Sequence, residues 1–276
     1  MTRARTLLLV LSCALVASCA TTHAASCARA GGTRMHAHND YNHARPLLDA
    51  LAAGASSIEA DVFVQDGVLL VGHDRSQLTA ARSLEAMYLR PLFALWQAQG
   101  RLLPPACGSS LLLLIDFKAD PEASYRALAP LLSRYRAMLS HARGAAIEEG
   151  AVRVVISGER PLQLMARESE WLAGYDGRVL QPDATAPAAL VPLVSESWDR
   201  LFSWTGHGDM PAAERARLQS IVTEMHSQAR MVRFWATPDR REVWRELVGA
   251  GVDYINTDSL HALQVFFREQ HDVSLP

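Results

Sequence analysis

The sequence predicts an α/β protein folded as a single (β/α)8 TIM barrel. Beyond residue 30, short apolar runs typical of strands alternate with amphipathic stretches typical of helices, which is the pattern of parallel βα units. About eight alternations in roughly 245 residues match the usual size of this barrel. An open doubly wound sheet is the alternative, but no Gly-x-Gly-x-x-Gly motif follows the first strand, as a dinucleotide site would require.

The predicted elements follow from these two kinds of periodicity. The strands are short apolar runs bounded by turn residues, at 33–38, 57–64, 68–72, 111–117, 152–157, 178–181, 193–195, 231–236 and 252–256. The helices have apolar residues at helical spacing, at 45–53, 91–99, 122–139, 161–172, 212–229, 240–249 and 259–269.

The composition is that of an ordinary folded domain. The chain has 276 residues, of which 49% are hydrophobic and 20% are charged, and its formal net charge is -2. This balance excludes a disordered or collagen-like chain. Since there is no excess of positive charge, we expect no nucleic-acid partner, and no protein partner is evident.

The N-terminal segment has the features of an export signal. Arg3 and Arg5 precede an apolar run at 7–17 that is too short to cross a bilayer as a finished helix. The residues before Cys19 resemble a bacterial lipobox, in which cleavage precedes a cysteine that is then acylated. We therefore predict a signal peptide at 1–18, a linker at 19–32, a folded domain at 33–276, lipidation of Cys19, and a location at the periplasmic face of a bacterial membrane.

Two alternatives remain open in this segment. Cleavage by an ordinary signal peptidase near 22–24 or 28–30 would instead give a secreted protein, and a lipid on Cys19 is the only membrane attachment that we expect. Of the other cysteines, Cys13 would leave with the signal, and the sequence leaves open whether Cys27 and Cys107 form a disulfide.

Polar residues at the ends of predicted strands are the candidates for an active site, because barrel strands are otherwise apolar. These ends carry His36 and His38, Glu59 and Asp61, Asp116 and Lys118, and Asn256, Thr257 and Asp258. Side chains two residues apart on a strand point to the same side, so Glu59 and Asp61 project together. We expect Thr257 and Asp258 to cap the last helix.

The carboxylates of Glu59, Asp61 and Asp116 predict a metal site. Acids that converge from neighbouring strand ends repel one another unless a cation lies among them. Hard oxygen ligands suit Mg²⁺ or Ca²⁺, so we expect one divalent cation of this kind. Buried salt bridges to arginines are the alternative explanation for these acids.

Two histidines lie near these acids. His38 ends the first strand, and His73 lies twelve residues beyond Asp61, at the same rim. Imidazole serves as either acid or base near neutral pH, so this pair is suited to acid–base catalysis. His36 shares a strand face with His38 and is open to three interpretations: a ligand, a competitor for the catalytic role, or a supporting donor. Lys118, the only lysine, would stabilise negative charge on a substrate.

The segments 38–41, 58–62, 71–74, 115–118 and 253–258 together resemble the phosphatidylinositol phospholipase C-like phosphodiesterase superfamily. Within it, the chain is similar to the glycerophosphodiester phosphodiesterase branch and its sphingomyelinase D relatives. The resemblance implies a TIM barrel, one divalent metal held by Glu59, Asp61 and Asp116, and catalysis by His38 and His73. It also implies that Lys118 and Trp235 contact the substrate.

The chain departs from the family pattern at the first strand. The usual His-Arg-Gly is His-Asn-Asp here, so a phosphate-binding guanidinium is replaced by Asn39, which we expect to act as a neutral donor to the substrate. The Pro-Glu-Asn motif common in the family is missing.

The expected activity is metal-dependent hydrolysis of a small-molecule or lipid phosphodiester, of the glycerophosphodiester or phospholipid-like class. An amidohydrolase-like enzyme with two metals is one alternative, because its sites also use a His-x-His strand and a late aspartate. A catalytically silent lipoprotein that binds a phosphorylated ligand is another.

Overall fold

The computed structural model describes residues 29–183 and 185–273. Its strands are β1 (Arg29–Ala30), β2 (Thr33–Ala37), β3 (Ser57–Gln65), β4 (Val68–Val71), β5 (Leu111–Phe117), β6 (His141–Arg143), β7 (Ala146–Glu148), β8 (Val152–Gly158), β9 (Ala173–Arg178), β10 (Leu193–Ser197), β11 (Met231–Trp235) and β12 (Tyr254–Thr257). The signal segment, Cys19 and Cys27 lie outside the described residues, so their predicted roles stay predictions.

Eight of these strands form a closed parallel barrel, in the order β2, β3, β5, β8, β9, β10, β11 and β12. Pairing of β12 with β2 and of β2 with β3 closes the ring. The predicted (β/α)8 TIM barrel is confirmed. Of the other strands, β1 and β4 pair antiparallel with β2 and β3, and β6 and β7 form a separate hairpin.

The helices are α1 (Leu48–Ala53), α2 (Arg90–Gln99), α3 (Pro121–Arg134), α4 (Leu162–Ala166), α5 (Trp198–Leu201), α6 (Ala212–Ser227), α7 (Arg241–Ala250) and α8 (Leu260–Val273). A π-helical turn at Glu85–Leu89 leads directly into α2. Across the described part of the chain, none of these helices has the length and apolar character needed to cross a membrane.

The barrel interior is layered. Leu112, Leu114, Val155, Leu193 and Tyr254 are almost fully buried and form a small apolar cluster inside the ring. The large hydrophobic core is a separate cluster, to which the barrel strands and the helices contribute. The interior becomes polar towards the carboxyl ends of the strands, which we call the mouth, where TIM barrels carry their active sites.

One predicted strand is wrong. The sequence predicts a strand at 178–181, whereas β9 runs from Ala173 to Arg178 and a turn follows it. Gly174 and Gly177 suggest a loop in the sequence, but both lie at close contacts: a Cβ on Gly174 would lie 2.7 Å from the Pro192 ring, and one on Gly177 would lie 3.0 Å from Val191. The glycines therefore permit close packing of the chain against this strand. The preceding helix is also shorter than predicted, since α4 ends at Ala166.

Gly158 offers a test of how tightly β8 packs against β5. It has a φ of +66°, and a Cβ there would lie 2.6 Å from Asp116 Oδ1. Gly67, in a turn, has a φ of +76° with no atom within 4 Å of such a Cβ, so it is a matched control. We expect Gly67→Ala to lower the free energy of unfolding by about 1 to 2 kcal/mol, the cost of a left-handed conformation for a residue with a Cβ. Gly158→Ala should lower it further, because Asp116 must also move. Equal losses in urea unfolding would contradict this packing.

Candidate active site

Three carboxylates meet at the mouth. Glu59 and Asp61 are two residues apart on β3, and Asp116 lies on β5 directly beside Asp61 in the ladder. Each residue offers one oxygen, and these oxygens all lie within 4.8 Å of one another. Glu59 and Asp61 are buried, and Asp116 is half-buried. The arrangement follows from strand alternation and register, as the sequence predicted.

The electrostatics of this triad call for a cation. Burial, and then the negative charge of Glu59, raises the pKa of Asp116 to about 6. Lys118 opposes this rise, because its Nζ lies 3.1 Å from Asp116 Oδ1 and 2.8 Å from Asp61 Oδ2. Burial lowers the pKa of Lys118, but the two carboxylates outweigh it and raise the pKa above its ordinary value. Lys118 therefore stays charged.

Asp61 has one crowded oxygen and one bare oxygen. Its Oδ2 accepts hydrogen bonds from the Tyr41 hydroxyl at 2.7 Å, from His73 Nδ1 at 2.9 Å and from Lys118. Its Oδ1 is buried and has no hydrogen-bond partner among the described residues. A buried carboxylate oxygen without a donor is costly, and a bound cation would satisfy it. The residues present therefore fit a divalent cation.

Two side chains, His36 and Arg233, contact the Glu59 carboxylate. His36 Nε2 lies 2.8 Å and Arg233 Nη1 2.9 Å from the same oxygen, Oε2. Burial raises the pKa of Glu59, but Arg233 and His36 outweigh this effect and hold the pKa below its ordinary value. Arg233 was missed in the sequence, although an arginine within the apolar strand β11 is the kind of signal that marked the acids. The alternative of arginine salt bridges thus applies to one member of the triad.

His36 has a structural position. It is fully buried, and burial, followed by the charge of Arg233, lowers its pKa to about 4, so it is neutral. Its Nδ1 lies 2.6 Å from Ser57 Oγ, and its Nε2 lies 2.8 Å from both Glu59 Oε2 and Arg233 Nη1. Of the three interpretations left open by the sequence, the contacts favour a supporting donor.

His38 forms a pair with Asp258. Its Nδ1 lies 2.7 Å from Asp258 Oδ1, and the imidazole is 27% exposed, so it is accessible at the mouth. The expectation that Asp258 caps the last helix is wrong: Thr257 Oγ1 accepts the N–H of Ser259, whereas the side chain of Asp258 turns towards His38. The sequence held no signal for this pairing, because the residues are 220 positions apart.

His73 forms the corresponding pair with Asp61, through its Nδ1, and its side chain is 57% exposed. In both histidines a carboxylate therefore holds Nδ1. Nε2 has no hydrogen bond to another described residue in either histidine. This is the tautomer-fixing arrangement common around catalytic imidazoles.

Tyr41 and Asn39 connect the two histidine pairs. The Tyr41 hydroxyl lies 2.7 Å from Asp61 Oδ2 and 2.6 Å from Asn39 Oδ1, and the Asn39 amide lies 3.1 Å from His38 Nδ1. Burial, and then the charge of Asp61, raises the pKa of Tyr41 far above its ordinary value, so the phenol keeps its single proton. That single proton lies between two acceptors, Asp61 Oδ2 and Asn39 Oδ1. Asn39 as a substrate donor stays a prediction.

Trp235 completes the predicted set. It ends β11 at the mouth and is 37% exposed, which is unusual for so large an apolar side chain.

Among the described residues, the triad is the single group of acids, histidines and cysteines close enough to hold a metal ion. The binuclear amidohydrolase alternative therefore has no second site in this part of the chain.

Comparisons with known proteins agree with the fold. Residues 29–176 match the family described as an AIM6-like phosphodiesterase domain, and residues 231–261 match the glycerophosphoryl diester phosphodiesterase family. Glycerophosphodiester phosphodiesterases from Parabacteroides distasonis and Agrobacterium tumefaciens share the fold. Their TM-scores are 0.54 and 0.50 at 14% and 18% identity, covering 88% and 84% of this chain and 100% and 99% of theirs. The resemblance predicted from the sequence is confirmed.

Curated fungal proteins are similar over most of the chain. Altered inheritance of mitochondria protein 6 homolog of Arthroderma benhamiae is 29% identical over 84% of this chain and 83% of its own length. Altered inheritance of mitochondria protein 6 of Eremothecium gossypii is 30% identical over 85% of this chain and 69% of its own.

These matches correct the predicted location. The curated relatives are yeast and fungal proteins and not bacterial periplasmic lipoproteins, so the prediction of a bacterial periplasmic or secreted lipoprotein is wrong. That prediction rested on residues 1–30 alone, and a short apolar run is a weak guide to compartment. The matched region begins after them, with the barrel itself, and on that region the chain belongs to the AIM6-like phosphodiesterase domain family.

Proposed function

We propose that this protein is a metal-dependent phosphoric diester hydrolase acting on a glycerophosphodiester or phospholipid-like substrate. One observation carries the proposal: two histidines, each held at Nδ1 by a carboxylate, flank a buried triad of acids with an unsatisfied oxygen. A fold shared with phosphodiesterases supports it.

The chain's own residues divide the chemistry. Glu59, Asp61 and Asp116 would hold one Mg²⁺ or Ca²⁺, which when bound supplies positive charge for the non-bridging phosphate oxygens. Lys118 adds a second, permanent positive charge beside the same site. Neither the cation nor Lys118 needs to gain or lose a proton to provide this charge.

The histidines move the protons. One imidazole accepts a proton at Nε2 from the attacking water or substrate hydroxyl, and the other donates a proton from Nε2 to the leaving alkoxide. Asp258 and Asp61 stabilise the imidazolium forms and fix the ring orientations. Trp235 offers an exposed aromatic surface for an apolar arm of the substrate.

The histidine roles are tested by alanine substitution. His38→Ala and His73→Ala should each lower turnover of bis(p-nitrophenyl) phosphate by about 100- to 10,000-fold, the range for a lost general acid or base. Phosphorus NMR of the products separates hydrolysis from cyclic phosphate formation. His226→Ala is the matched control, since His226 also pairs with an aspartate but lies on α6, beside the amino end of β12. Wild-type turnover in His38→Ala and His73→Ala would refute the assignment.

The triad is tested by metal binding in the absence of substrate. Asp61→Asn should weaken Mg²⁺ or Ca²⁺ binding at least about tenfold in isothermal titration calorimetry, because an amide lacks the charge that a hard cation prefers. Asp258→Asn, which alters a carboxylate at the mouth outside the triad, should bind the ion like the wild type. Equal affinity in Asp61→Asn and wild type would exclude the triad as the metal site.

The His38–Asp258 pair is tested by its effect on kcat. Asp258→Asn should lower kcat by about 10- to 100-fold with little change in KM, because His38 loses the group that orients it. The control is Asp253→Asn, which breaks the His226–Asp253 pair at the opposite end of β12. If both variants retain wild-type kcat, Asp258 has no positioning role.

A further inference from the structure

A second polar cluster lies beside the triad, on the next strands around the barrel. Its centre is Asp176 on β9, which is fully buried. Asp176 accepts hydrogen bonds from the hydroxyls of Ser157 and Ser195, and from Arg178 NH1 at 2.7 Å. The carboxylate is thus engaged by its own strand and its two neighbours, and a second cation, Arg233, lies 4.0 Å from its Oδ2.

Arg160 lies next to this cluster with few partners of its own. Among the described residues, its guanidinium donates one hydrogen bond, to the backbone carbonyl of Asp176, and forms no ion pair within 4.0 Å. Its Nε is buried and has no acceptor. Burial, and then the nearby charge of Arg178, lowers the pKa of Arg160, but a guanidinium stays protonated at neutral pH. The carboxylates of Asp176 and Asp116 raise this pKa from a greater distance, but neither pairs directly with the guanidinium. A partly buried cation without a direct ion pair is costly.

The position of Arg160 relates it to the active site. Ser157, near the end of β8, pairs with Asp116 in the ladder, and Gly158 packs directly on the Asp116 carboxylate. Arg160 follows two residues later. Three cations therefore lie at or just beyond the carboxyl ends of three consecutive strands: Lys118 after β5, Arg160 after β8 and Arg178 at the end of β9. These strands lie on the side of the triad away from His38. Of these three, Arg160 is the one without a carboxylate partner in the described structure.

We propose that Arg160, with Arg178 beside it, binds a second anionic group on one arm of the diester, a carboxylate or a further phosphate. The proposal rests on the proposed function and adds a substrate preference to it. The reacting phosphate is served by Lys118 and the triad, and a diester with neutral arms leaves Arg160 without a directly paired anion. An anionic arm pairs with it through charge-assisted hydrogen bonds, which guanidinium groups form well with carboxylate and phosphate.

The test uses chromogenic diesters that differ in one charge. The p-nitrophenyl phosphodiesters of 4-hydroxybutyrate and 4-hydroxybutyramide have the same leaving group and nearly the same shape, and a third probe carries a terminal phosphate. We expect wild-type kcat/KM to be about tenfold higher for an anionic arm than for the amide, the size of one charge-assisted hydrogen bond. Whether carboxylate or phosphate gives the larger ratio identifies the preferred anion.

Substitutions then locate the preference. Arg160→Gln should bring the ratio close to one, Arg160→Lys should keep part of it, and Arg153→Gln should leave it unchanged. Arg153 is the matched control, because it lies on the same strand β8 but at the opposite end, paired with Glu149. A ratio measured within one variant is independent of how much of that variant is folded.

The outcomes separate this inference from the function on which it rests. Hydrolysis of all three diesters at equal rates, or a preference that survives in Arg160→Gln, overturns the anionic subsite and leaves the phosphodiesterase proposal standing. A failure to hydrolyse any of the three overturns both.

Discussion

Repulsion among three carboxylates is the constraint around which the mouth of this barrel is organised. Glu59, Asp61 and Asp116 offer oxygens within 4.8 Å of one another in a largely buried site. Such a group survives folding only if positive charge and hydrogen-bond donors surround it. Five side chains provide them: Arg233 and His36 contact Glu59, Lys118 bridges two of the acids, and Tyr41 and His73 contact Asp61. The unsatisfied Oδ1 of Asp61 marks where protein donors stop and a cation fits.

The same constraint distinguishes the two histidines at the mouth. His73 is oriented by a carboxylate that also belongs to the triad, whereas His38 is oriented by Asp258, which does not. The two imidazoles would therefore respond differently to a bound ion. Loss of an ion would change the surroundings of His73 directly, through Asp61. It would change those of His38 only through the contacts of Tyr41 and Asn39. A metal-dependent difference between the two ring environments is a consequence of this asymmetry.

The fold and the acids could be predicted because both depend on local patterns. Alternation of short apolar runs with helical stretches indicates the barrel, and two-residue spacing places Glu59 and Asp61 on one face. The strand β9 could not be predicted, since its glycines are explained by residues that the fold brings against them, Pro192 at Gly174 and Val191 at Gly177. Asp258 and Arg233 were misjudged or missed for a related reason: their partners, His38 and Glu59, lie 220 and 174 positions away.

The apolar cluster inside the ring limits how a molecule could enter and leave the barrel. Leu112, Leu114, Val155, Leu193 and Tyr254 fill the interior beneath the polar layer. The barrel is therefore closed below the mouth, and a molecule that binds at the mouth must also leave from it. Under the proposed hydrolysis, the phosphomonoester product would carry more negative charge than the diester, and it would leave past Lys118 and Arg160. The positive charge that would favour substrate binding would also hold back such a product.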